Sequence, residues 1–506
     1  MTPICTIRQL LNVGADDAIA IQASSRANLT YADLRSLADS TLEALNAAGI
    51  GRNDRVAIVL PNGPEMATAF MTIACAATTA PLNPSYRQEE FEFYIDDLKS
   101  QALVVERGSE SPAVAAAQKL GIDIIELVID AAEPAGYFTL SAPRSGTATN
   151  PGAALTDDVG LILHTSGTTS RPKIVPLSQA NICASAVNVK NSLALTTEDA
   201  CLNVMPLFHI HGLIAAVSAT LRAGARIFCS PGFNALRFFS WVEEAKPTWY
   251  TAVPTMHQVI LQRASRSKDT VATVPFRFIR SSSASLPPQV MAELEKTFGA
   301  PVVEAYGMTE AAHQMAVNPL PPGVRKPGSV GLAAGPEVSI MSAGGELLQQ
   351  GDIGEIVIRG DNVTSGYENN PKANAENFTQ GWFRTGDQGV IDEDGYISIT
   401  GRLKEIINRG GEKISPREVD EILMDHPAVQ QCVTFAMPHP KLGEEVAAAV
   451  VLVEGKNANE NDIRAFTSKH LADFKVPRKI LILDEIPKGA TGKLQRIGLA
   501  EKLGLV

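Results

Sequence analysis

Short strand-like runs alternate with helical stretches along this chain, and the alternation limits the folds open to it. Strand-like runs occupy residues 55–60, 102–106 and 276–280, and the stretch from Pro288 to Phe298 has the pattern of a helix. The pair Pro287-Pro288 fits the start of that helix and Gly299 fits its C-terminal cap. Alternating strands and helices are characteristic of layered folds. We therefore predict an α/β fold.

The pattern changes after Gly331, where short strands are separated by Gly and Asp turns. This predicts a β-rich subdomain. Beyond Gly401-Arg402 come helix and strand signals of a small α+β unit, at residues 416–424, 446–453, 460–470 and 480–483. We therefore predict a large N-terminal domain over residues 1–403, built of layered α/β subdomains plus the β-rich one, and a small mobile C-terminal domain over residues 404–506. The hinge is predicted near Lys404.

Composition and charge exclude several classes of protein. Charged residues make up 20% and hydrophobic residues 45%, and no segment offers the roughly 18 apolar residues that would cross a bilayer. The net charge of -11, without a basic stripe, argues against nucleic acid as a partner. The six cysteines form no CxxC pair, which predicts reduced thiols and a cytoplasmic location.

Residues 164–173, His-Thr-Ser-Gly-Thr-Thr-Ser-Arg-Pro-Lys, follow an apolar run and combine hydroxyls, a glycine and two cations. Backbone N–H groups and short hydroxyls in such a loop can converge on an anion, and Lys173 adds positive charge. The pattern predicts a phosphate-binding loop made of Thr165, Ser166, Gly167, Thr168, Thr169 and Lys173. It does not end in Gly-Lys-Ser/Thr, so it is not the P-loop of nucleoside triphosphatases. An ordinary Ser/Thr-rich turn is the alternative.

The segment Tyr306-Gly-Met-Thr-Glu310 follows a strand-like run at residues 301–305. Its polar groups are therefore expected at the carboxyl end of a strand, where α/β sheets bind ligands. Tyr306 could stack on a base, Thr309 could reach a phosphate, and Glu310 could hold Mg²⁺ against phosphate oxygens. The alternative is a capped helix start.

Two further segments carry candidate functional groups. Asp387 and Arg402 are predicted on turns that flank a strand pair, where the carboxylate could accept both hydroxyls of a ribose, although an ordinary turn aspartate is the alternative. Lys493 lies on the glycine-rich loop Pro-Lys-Gly-Ala-Thr-Gly-Lys near the end of the chain. Such a loop could bring an ammonium to a developing negative charge, although many lysines of this kind are solvated surface charges.

Taken together, TSGTTSRPK, YGMTE, TGD, GRLKEIINRGGEKISPREV and PKGATGK resemble, in order and spacing, the core motifs of the adenylate-forming acyl-CoA synthetases. The resemblance covers essentially the whole chain. It implies a two-step reaction that uses ATP, Mg²⁺ and coenzyme A. A carboxylate first attacks the α-phosphorus of MgATP to give an acyl-adenylate and pyrophosphate, and the thiol of CoA then displaces AMP.

The resemblance also implies roles for individual residues. Lys493 would be the catalytic lysine that bridges the carboxylate and the phosphate oxygens, and Lys404 the hinge about which the C-terminal domain rotates. Thr309 and Glu310 would act in catalysis. The nucleotide would be held by Ala305, Tyr306, Gly307, Asp387 and Arg402 together with the phosphate loop, and CoA by Gly410 and Gly411.

The chain departs from the family's pattern at two positions of the phosphate loop. Ser170 and Ile174 stand where the family usually has glycine. A β-branched residue adopts a glycine-only conformation at a cost. We therefore predict an ordinary extended backbone at Ile174.

Four polar residues indicate what kind of acid the enzyme activates. His209 occupies the family's aromatic-or-His position, and His211 adds a second imidazole, which suggests a polar acyl pocket. Ser283 and His313 could hydrogen-bond a second carboxylate of a very short acid. The alternative for His211 is packing in the core.

The segments SSSASLPP, EAYGMTEAAHQM, NPLPPG, KPGSVG and WYTAVPTMHQ are similar to those of the oxalate–CoA ligase branch, which implies oxalate as the acid. The alternatives are a medium-chain or aryl acyl-CoA ligase, a stand-alone adenylation enzyme that loads a carrier protein, and a luciferase-like oxygenase. A non-enzymatic ATP-binding protein is disfavoured because Lys493, Glu310 and Asp387 are all present. The sequence leaves the oligomeric state open.

Overall fold

The computed structural model describes residues 5–165, 172–274, 276–487 and 494–505. Within these residues the chain divides into two compact units. The first holds residues up to 338 and residues 358–383, and the second holds residues 339–357 and those from 384 onward. The hinge at Lys404 stays a prediction.

The first unit contains two large sheets with helices on their faces. Its strands are β1 (Ile19–Gln22), β2 (Leu29–Thr30), β3 (Arg55–Val59), β4 (Thr78–Pro81), β5 (Ala102–Glu106), β6 (Asp123–Val128), β7 (Thr139–Ser141), β8 (Val159–Thr165), β9 (Lys173–Ser178), β10 (Ala200–Asn203), β11 (Arg226–Cys229), β12 (Trp249–Ala252), β13 (Phe278–Ser282), β14 (Val302–Met308), β15 (His313–Val317) and β16 (Leu332–Ala333). Its helices are α1 (Ile7–Leu11), α2 (Tyr31–Ala47), α3 (Pro64–Ile73), α4 (Gln88–Asp97), α5 (Pro112–Leu120), α6 (Gln179–Ser192), α7 (Ala219–Arg222), α8 (Phe238–Ala245), α9 (Pro254–Ala264), α10 (Lys268–Thr273) and α11 (Pro288–Phe298), with a π-helix at His211–Ser218 and a 3₁₀ turn at Thr309–Ala311.

The remaining elements follow in chain order. The strands are β17 (Glu337–Met341), β18 (Gly354–Arg359), β19 (Phe378–Thr379), β20 (Trp382–Ile391), β21 (Ile397–Arg402), β22 (Ile407–Arg409), β23 (Glu412–Ile414), β24 (Val429–His439), β25 (Gly443–Leu452) and β26 (Lys479–Ile482). The helices are α12 (Pro371–Asn377), α13 (Pro416–Met424), α14 (Glu460–Thr467) and α15 (Leu499–Lys502).

One large sheet has seven strands in the order β7-β6-β5-β3-β4-β8-β9. Its central strands run parallel, whereas β7 and β9 pair antiparallel at the edges. The central strands β3, β4 and β5 are buried on both sides, as parallel strands covered by helices must be. Phe91, Ile95 and Leu103 belong to the apolar cluster on this sheet.

The other large sheet has nine strands in the order β16-β15-β14-β13-β12-β10-β11-β1-β2. The strands from β14 to β1 run parallel, and β2, β15 and β16 pair antiparallel at the edges. Trp241, Tyr250 and Phe238 fill its core. Since parallel strands end at the same edge, the residues after β12, β13 and β14 come together there.

Two helices link the large sheets of the first unit. Helix α3 contacts β4 and β11, and α6 contacts β8, β9 and β15. These helices therefore bury apolar faces on both sides, and α3 is buried along nearly its whole length.

A third sheet joins β17, β18, β20 and β19, with β21 paired to β20. The sequence placed Thr385-Gly386-Asp387 and Gly401-Arg402 on turns, and this was wrong. Both segments lie inside strands, and Asp387 is paired with Arg402 across β20 and β21. The glycines that suggested turns lie within the strands, and Gly386 has a positive φ of 75°.

The fourth sheet lies in the second unit and has the order β23-β22-β25-β24, with β26 parallel to β25. Helix α13 packs on β24, and Ile407, Val419 and Ile463 belong to the core beneath it. This is the predicted α+β arrangement.

Several predicted elements are confirmed with their bounds. Strand β5 and helices α11 and α13 begin and end as predicted, and Gly299 ends α11 with φ 62°. Strand β13 begins two residues later than predicted. Among the described residues, no helix combines the length and the apolar character needed to cross a bilayer.

Candidate active site

Two neighbouring parallel strands carry the predicted polar residues to one edge of the nine-stranded sheet. Ser282 on β13 is in register with Ala305 on β14, so Ser283 follows one strand beside Tyr306 and Gly307 on the other. The antiparallel pairing of β14 with β15 then returns the chain, with Met308 opposite His313. The sequence thus brings Tyr306, Ser283 and His313 to one end of the sheet.

The return from β14 to β15 is unusually tight. Ala312 and His313 have positive φ values of 45° and 103°, a region that residues other than glycine adopt at a cost. A Cβ at Gly307 would lie 1.8 Å from the carbonyl oxygen of His313, so only glycine fits there. Ser185 Oγ donates a hydrogen bond to the carbonyl of Ala312 at 2.6 Å, which helps to hold the strained turn.

Glu310 lies in this turn and is 5% exposed. The hydroxyl of Tyr367 donates to Glu310 Oε1 at 2.8 Å, and the backbone N–H of Thr364 donates to the carbonyl of Glu310 at 2.7 Å. Lys173 Nζ lies 4.2 Å from the centre of the Tyr367 ring. One tyrosine therefore touches both the predicted phosphate-binding lysine and the predicted magnesium ligand.

The predicted phosphate loop connects β8 to β9. Thr165 and Lys173 face each other as the last paired residues of these strands. Residues Ser166, Gly167, Thr168, Thr169 and Ser170 lie outside the described residues. Ile174 lies in the regular strand β9, opposite His164, so the predicted extended backbone at this position is confirmed.

His164, at the start of the loop, is held on its other side. Its Nε2 lies 3.0 Å from Asp97 Oδ2, and its ring packs edge-on against Tyr94 at 4.7 Å between centroids. Both members of the His–Asp pair are largely buried. The entry into the phosphate loop is therefore fixed by helix α4.

The residues predicted to recognise the acid form a hydrogen-bonded group. His211 Nδ1 lies 3.0 Å from Ser283 Oγ, and the rings of His211 and His313 pack edge-on with centroids 5.0 Å apart. Ser283 has φ 74°, so it too is held in a conformation that costs energy. His209 is half-buried and packs on Phe208 at 4.5 Å between ring centroids.

His211 begins the π-helix His211–Ser218. Such helices are rare and recur at functional sites. Its Nε2 lies 2.6 Å from Thr251 Oγ1, at the end of β12. The alternative from the sequence, that His211 only packs in the core, does not account for polar partners at both of its ring nitrogens.

In the second unit, Arg402 Nε donates to Asp387 Oδ1 at 2.8 Å. Asp387 is 7% exposed, and its N–H donates to Thr385 Oγ1 at 3.1 Å. The carboxylate is therefore oriented by the Arg402 guanidinium, which suits a group that accepts hydrogen bonds from hydroxyls.

Lys404 lies exposed in the turn between β21 and β22, and Gly410 and Gly411 form the turn between β22 and β23 with φ 61° and 103°. Lys493 lies outside the described residues. Arg496 follows it in the chain and forms ion pairs with Glu405, at 3.2 Å, and with Asp420. Burial raises the pKa of the Asp420 carboxyl, and Arg496 acts against this rise.

Comparison with known proteins decides the family. Residues 11–368 match the family described as AMP-binding enzyme, and residues 418–493 match the AMP-binding enzyme C-terminal domain. The chain belongs to the AMP-binding enzymes. This confirms the predicted adenylate-forming family.

Among curated relatives of this AMP-binding enzyme, an oxalate–CoA ligase of Arabidopsis thaliana is 47% identical, covering 95% of this chain and 94% of the relative. An oxalate–CoA ligase of Saccharomyces cerevisiae is 44% identical, covering 89% and 87%. Among solved structures, ATP-bound MatB from Rhodopseudomonas palustris has a TM-score of 0.87 at 30% identity, covering 98% of each chain. The α/β fold is confirmed by this likeness.

The sequence missed three residues of the site. Tyr367 was not singled out because it lies 57 residues after Glu310. Arg280 and Thr251 were missed because they lie inside strand-like runs that read as core. The signal that could have revealed Arg280 was an arginine within an otherwise apolar strand. Arginine is almost never fully buried unless it has polar partners.

Proposed function

We propose that this AMP-binding enzyme is an ATP-dependent oxalate–CoA ligase that forms oxalyl-CoA, AMP and pyrophosphate. The hydrogen-bonded pair of His211 and Ser283, beside His313, carries the proposal. Oxalate offers no apolar surface, so hydrogen bonds and charge must recognise it. Three polar side chains, two of them on strained backbone, match that requirement. The two relatives named oxalate–CoA ligase support the same choice.

The first step joins the acid to the nucleotide. A carboxylate oxygen attacks the α-phosphorus of ATP, the bond to the bridging oxygen breaks, and pyrophosphate leaves with its electron pair. We assign Lys173 and the phosphate loop, with Thr165, Ser166, Gly167, Thr168 and Thr169, to the charge on that leaving group. Lys493 is assigned to the oxygens of the transferred phosphate and of the carboxylate.

Nucleotide recognition is assigned to the polar end of β14 and to the paired strands β20 and β21. We propose that Ala305, Tyr306 and Gly307 contact the base and that Thr309 contacts phosphate. Asp387, oriented by Arg402, would accept the ribose hydroxyls. The buried side-chain environment of Asp387 strengthens each such hydrogen bond.

The residues present fit a magnesium ion at Glu310. Mg²⁺ binds through one or two carboxylates together with phosphate oxygens and water, and Glu310 is a single buried carboxylate whose Oε1 is held by Tyr367. No group of three or more metal-binding side chains occurs in the described part of the chain. When bound, Mg²⁺ would draw electrons from the phosphate oxygens.

The second step forms the thioester. The CoA thiolate attacks the acyl carbon, and AMP leaves with the oxygen that came from the acid. We propose that residues 1–403 form the adenylation domain and that residues 404–506 form a mobile domain with its hinge at Lys404. Gly410 and Gly411 are assigned to the CoA pantetheine. An exposed turn and two positive-φ glycines suit these roles.

An acid-dependent exchange of pyrophosphate into ATP tests the proposal. We expect oxalate to support exchange at least about 100-fold better than acetate or octanoate, because a polar pocket leaves its donors unpaired when a second carboxylate is missing. Malonate and cinnamate complete the panel. Preference for octanoate or cinnamate would instead indicate the medium-chain or aryl ligase.

Oxalyl-CoA formation with free CoA then separates a CoA ligase from an enzyme that loads a carrier protein. Transfer to a carrier protein without transfer to free CoA would contradict the proposal. The two assays use the same purified chain.

A further inference from the structure

Arg280 lies on β13, three residues before Ser283, and its side chain is completely buried. Its Nη1 lies 3.4 Å from His211 Nε2 and 3.4 Å from Thr251 Oγ1. Its Nη2 lies 3.3 Å from Gln314 Oε1. The guanidinium therefore lies directly behind the imidazole of the acid pocket.

The acceptors that the described residues offer to the Arg280 guanidinium carry no charge. Within the same residues, no carboxylate forms an ion pair with it. Burial lowers the pKa of the guanidinium to about 9, so the group stays protonated at neutral pH. A buried and uncompensated cation is costly, and an apolar side chain on this strand would avoid the cost.

Gln314 is oriented to receive this cation. Its Nε2 donates to Ser192 Oγ at 2.8 Å and to the carbonyl of Ala334 at 3.3 Å, which leaves its oxygen facing Arg280. Gln314 thus holds Nη2 of Arg280, and Nη1 is directed at His211 and Thr251.

The direction of these hydrogen bonds determines the tautomer of His211. A guanidinium only donates, so a protonated Nε2 on His211 would face another N–H at 3.4 Å. Thr251 can accept from Arg280 and donate its own proton to His211 Nε2 at 2.6 Å. Both neighbours therefore favour a bare Nε2 and a proton on Nδ1.

A proton on Nδ1 points at Ser283. His211 then donates to Ser283 Oγ at 3.0 Å, and the serine hydroxyl, having accepted this bond, can direct its own proton to an anionic oxygen. The positive charge of Arg280 acts in the same sense, because it disfavours a second proton on the imidazole and favours an anion nearby.

We propose that Arg280 is a positioning residue for the acid. Through His211 and Thr251 it fixes the neutral Nδ1–H tautomer of His211 and so makes Ser283 a hydrogen-bond donor to the second carboxylate of a short dicarboxylate. The identity of that acid rests on the function proposed above, whereas the tautomer does not.

Nitrogen-15 NMR of the histidine rings tests the tautomer in the full chain without any substrate. His211→Gln identifies the His211 signals by their disappearance. We expect the wild-type protein to show Nδ1–H, and Arg280→Met, which removes charge and donors but keeps bulk, to shift His211 toward the Nε2–H form. Arg280→Lys keeps the charge and a donor, so it should restore most of the wild-type signal.

The kinetic readout is the split between KM and kcat. Arg280→Met should raise the KM for oxalate at least about 10-fold, the loss expected for one hydrogen bond to the acid, while kcat and the KM for ATP stay within about 2-fold. Arg280→Lys should recover most of that loss. Arg226→Met is the matched control, since Arg226 lies half-buried at the amino end of β11 in the same sheet, whereas Thr251, the partner of His211, lies near the carboxyl end of β12.

The proposal is overturned if Arg280→Met keeps the Nδ1–H tautomer of His211, or if it lowers kcat and weakens ATP binding while the KM for oxalate stays unchanged. Arg280→Gln, which removes the charge and whose amide oxygen can accept a proton from Nε2, replaces Arg280→Met if the latter does not fold, with the same expectation for the His211 signals. A shifted tautomer in a chain that prefers another acid would refute the oxalate assignment and leave the positioning role intact.

Discussion

Substitutions of Ser283 separate the effect of backbone strain on stability from the effect of the hydroxyl on activity. The φ of Ser283, 74°, lies in the left-handed region, and the serine hydroxyl lies on His211. Ser283→Ala removes the hydroxyl and keeps the strained backbone. Ser283→Gly removes the same hydroxyl and relieves the strain. The difference in the free energy of unfolding between the two variants therefore measures the effect of the backbone conformation at position 283.

The magnitude follows from two opposing effects. Left-handed backbone costs a residue with a Cβ about 1–2 kcal/mol, and the extra freedom of glycine in the unfolded chain costs about 0.5–1 kcal/mol. Ser283→Gly should thus be more stable than Ser283→Ala by about 0.5–1 kcal/mol. In both variants the KM for oxalate should rise about 10- to 100-fold, because a hydrogen bond to a charged group is lost.

Urea unfolding followed by tryptophan fluorescence measures the stability difference. The three tryptophans, Trp241, Trp249 and Trp382, all belong to the first unit, so their emission reports the unit that holds Ser283. A Ser283→Gly variant less stable than Ser283→Ala would refute the strain argument. A wild-type KM in Ser283→Ala would refute the role of the hydroxyl.

Two further predictions follow from buried hydrogen bonds. Tyr367→Phe removes the bond to Glu310 Oε1 and should lower the rate of pyrophosphate exchange about 10-fold with little change in the KM for oxalate; an unchanged rate would show that the tyrosine does not orient the carboxylate. His257 is buried beside Tyr250, and burial lowers its pKa from 6.5 to about 3. Because the unfolded chain takes up the proton first, the wild type should lose about 2 kcal/mol more stability than His257→Gln between pH 7 and pH 5, and equal losses in urea unfolding would contradict this.

Local chemistry made much of the fold predictable. Helix α11 could be delimited from Pro288 and Gly299 because prolines favour first turns and glycines favour left-handed ends. Helix α13 likewise begins at Pro416. The phosphate loop and the segment from Tyr306 to Glu310 were singled out because each follows a strand-like run, and such residues gather at the edge of a parallel sheet.

The sequence could not reveal what depends on distant partners or on unusual backbone. Gly386 was taken as a turn residue because its positive φ was expected in a turn rather than inside β20. The contact of Arg280 with His211 joins residues 69 apart in the chain. The magnesium ion, the hinge at Lys404 and the cytoplasmic location stay predictions.

The π-helix at His211–Ser218 has a consequence for how the pocket could change in evolution. The N–H of Ala219 donates to the carbonyl of Ile214, five residues back. An α-helical hydrogen bond reaches only four residues back, so each hydrogen-bonded turn of the π-helix contains one additional residue. Deleting one residue would let the segment wind as an α-helix, and this would turn the side chains within it, His211 included, relative to the core-facing side chains after it. His211 would then leave Thr251 without any substitution in the pocket. We therefore predict that the number of residues in this helix affects which acid the proposed pocket accepts, so that a single-codon deletion changes that choice.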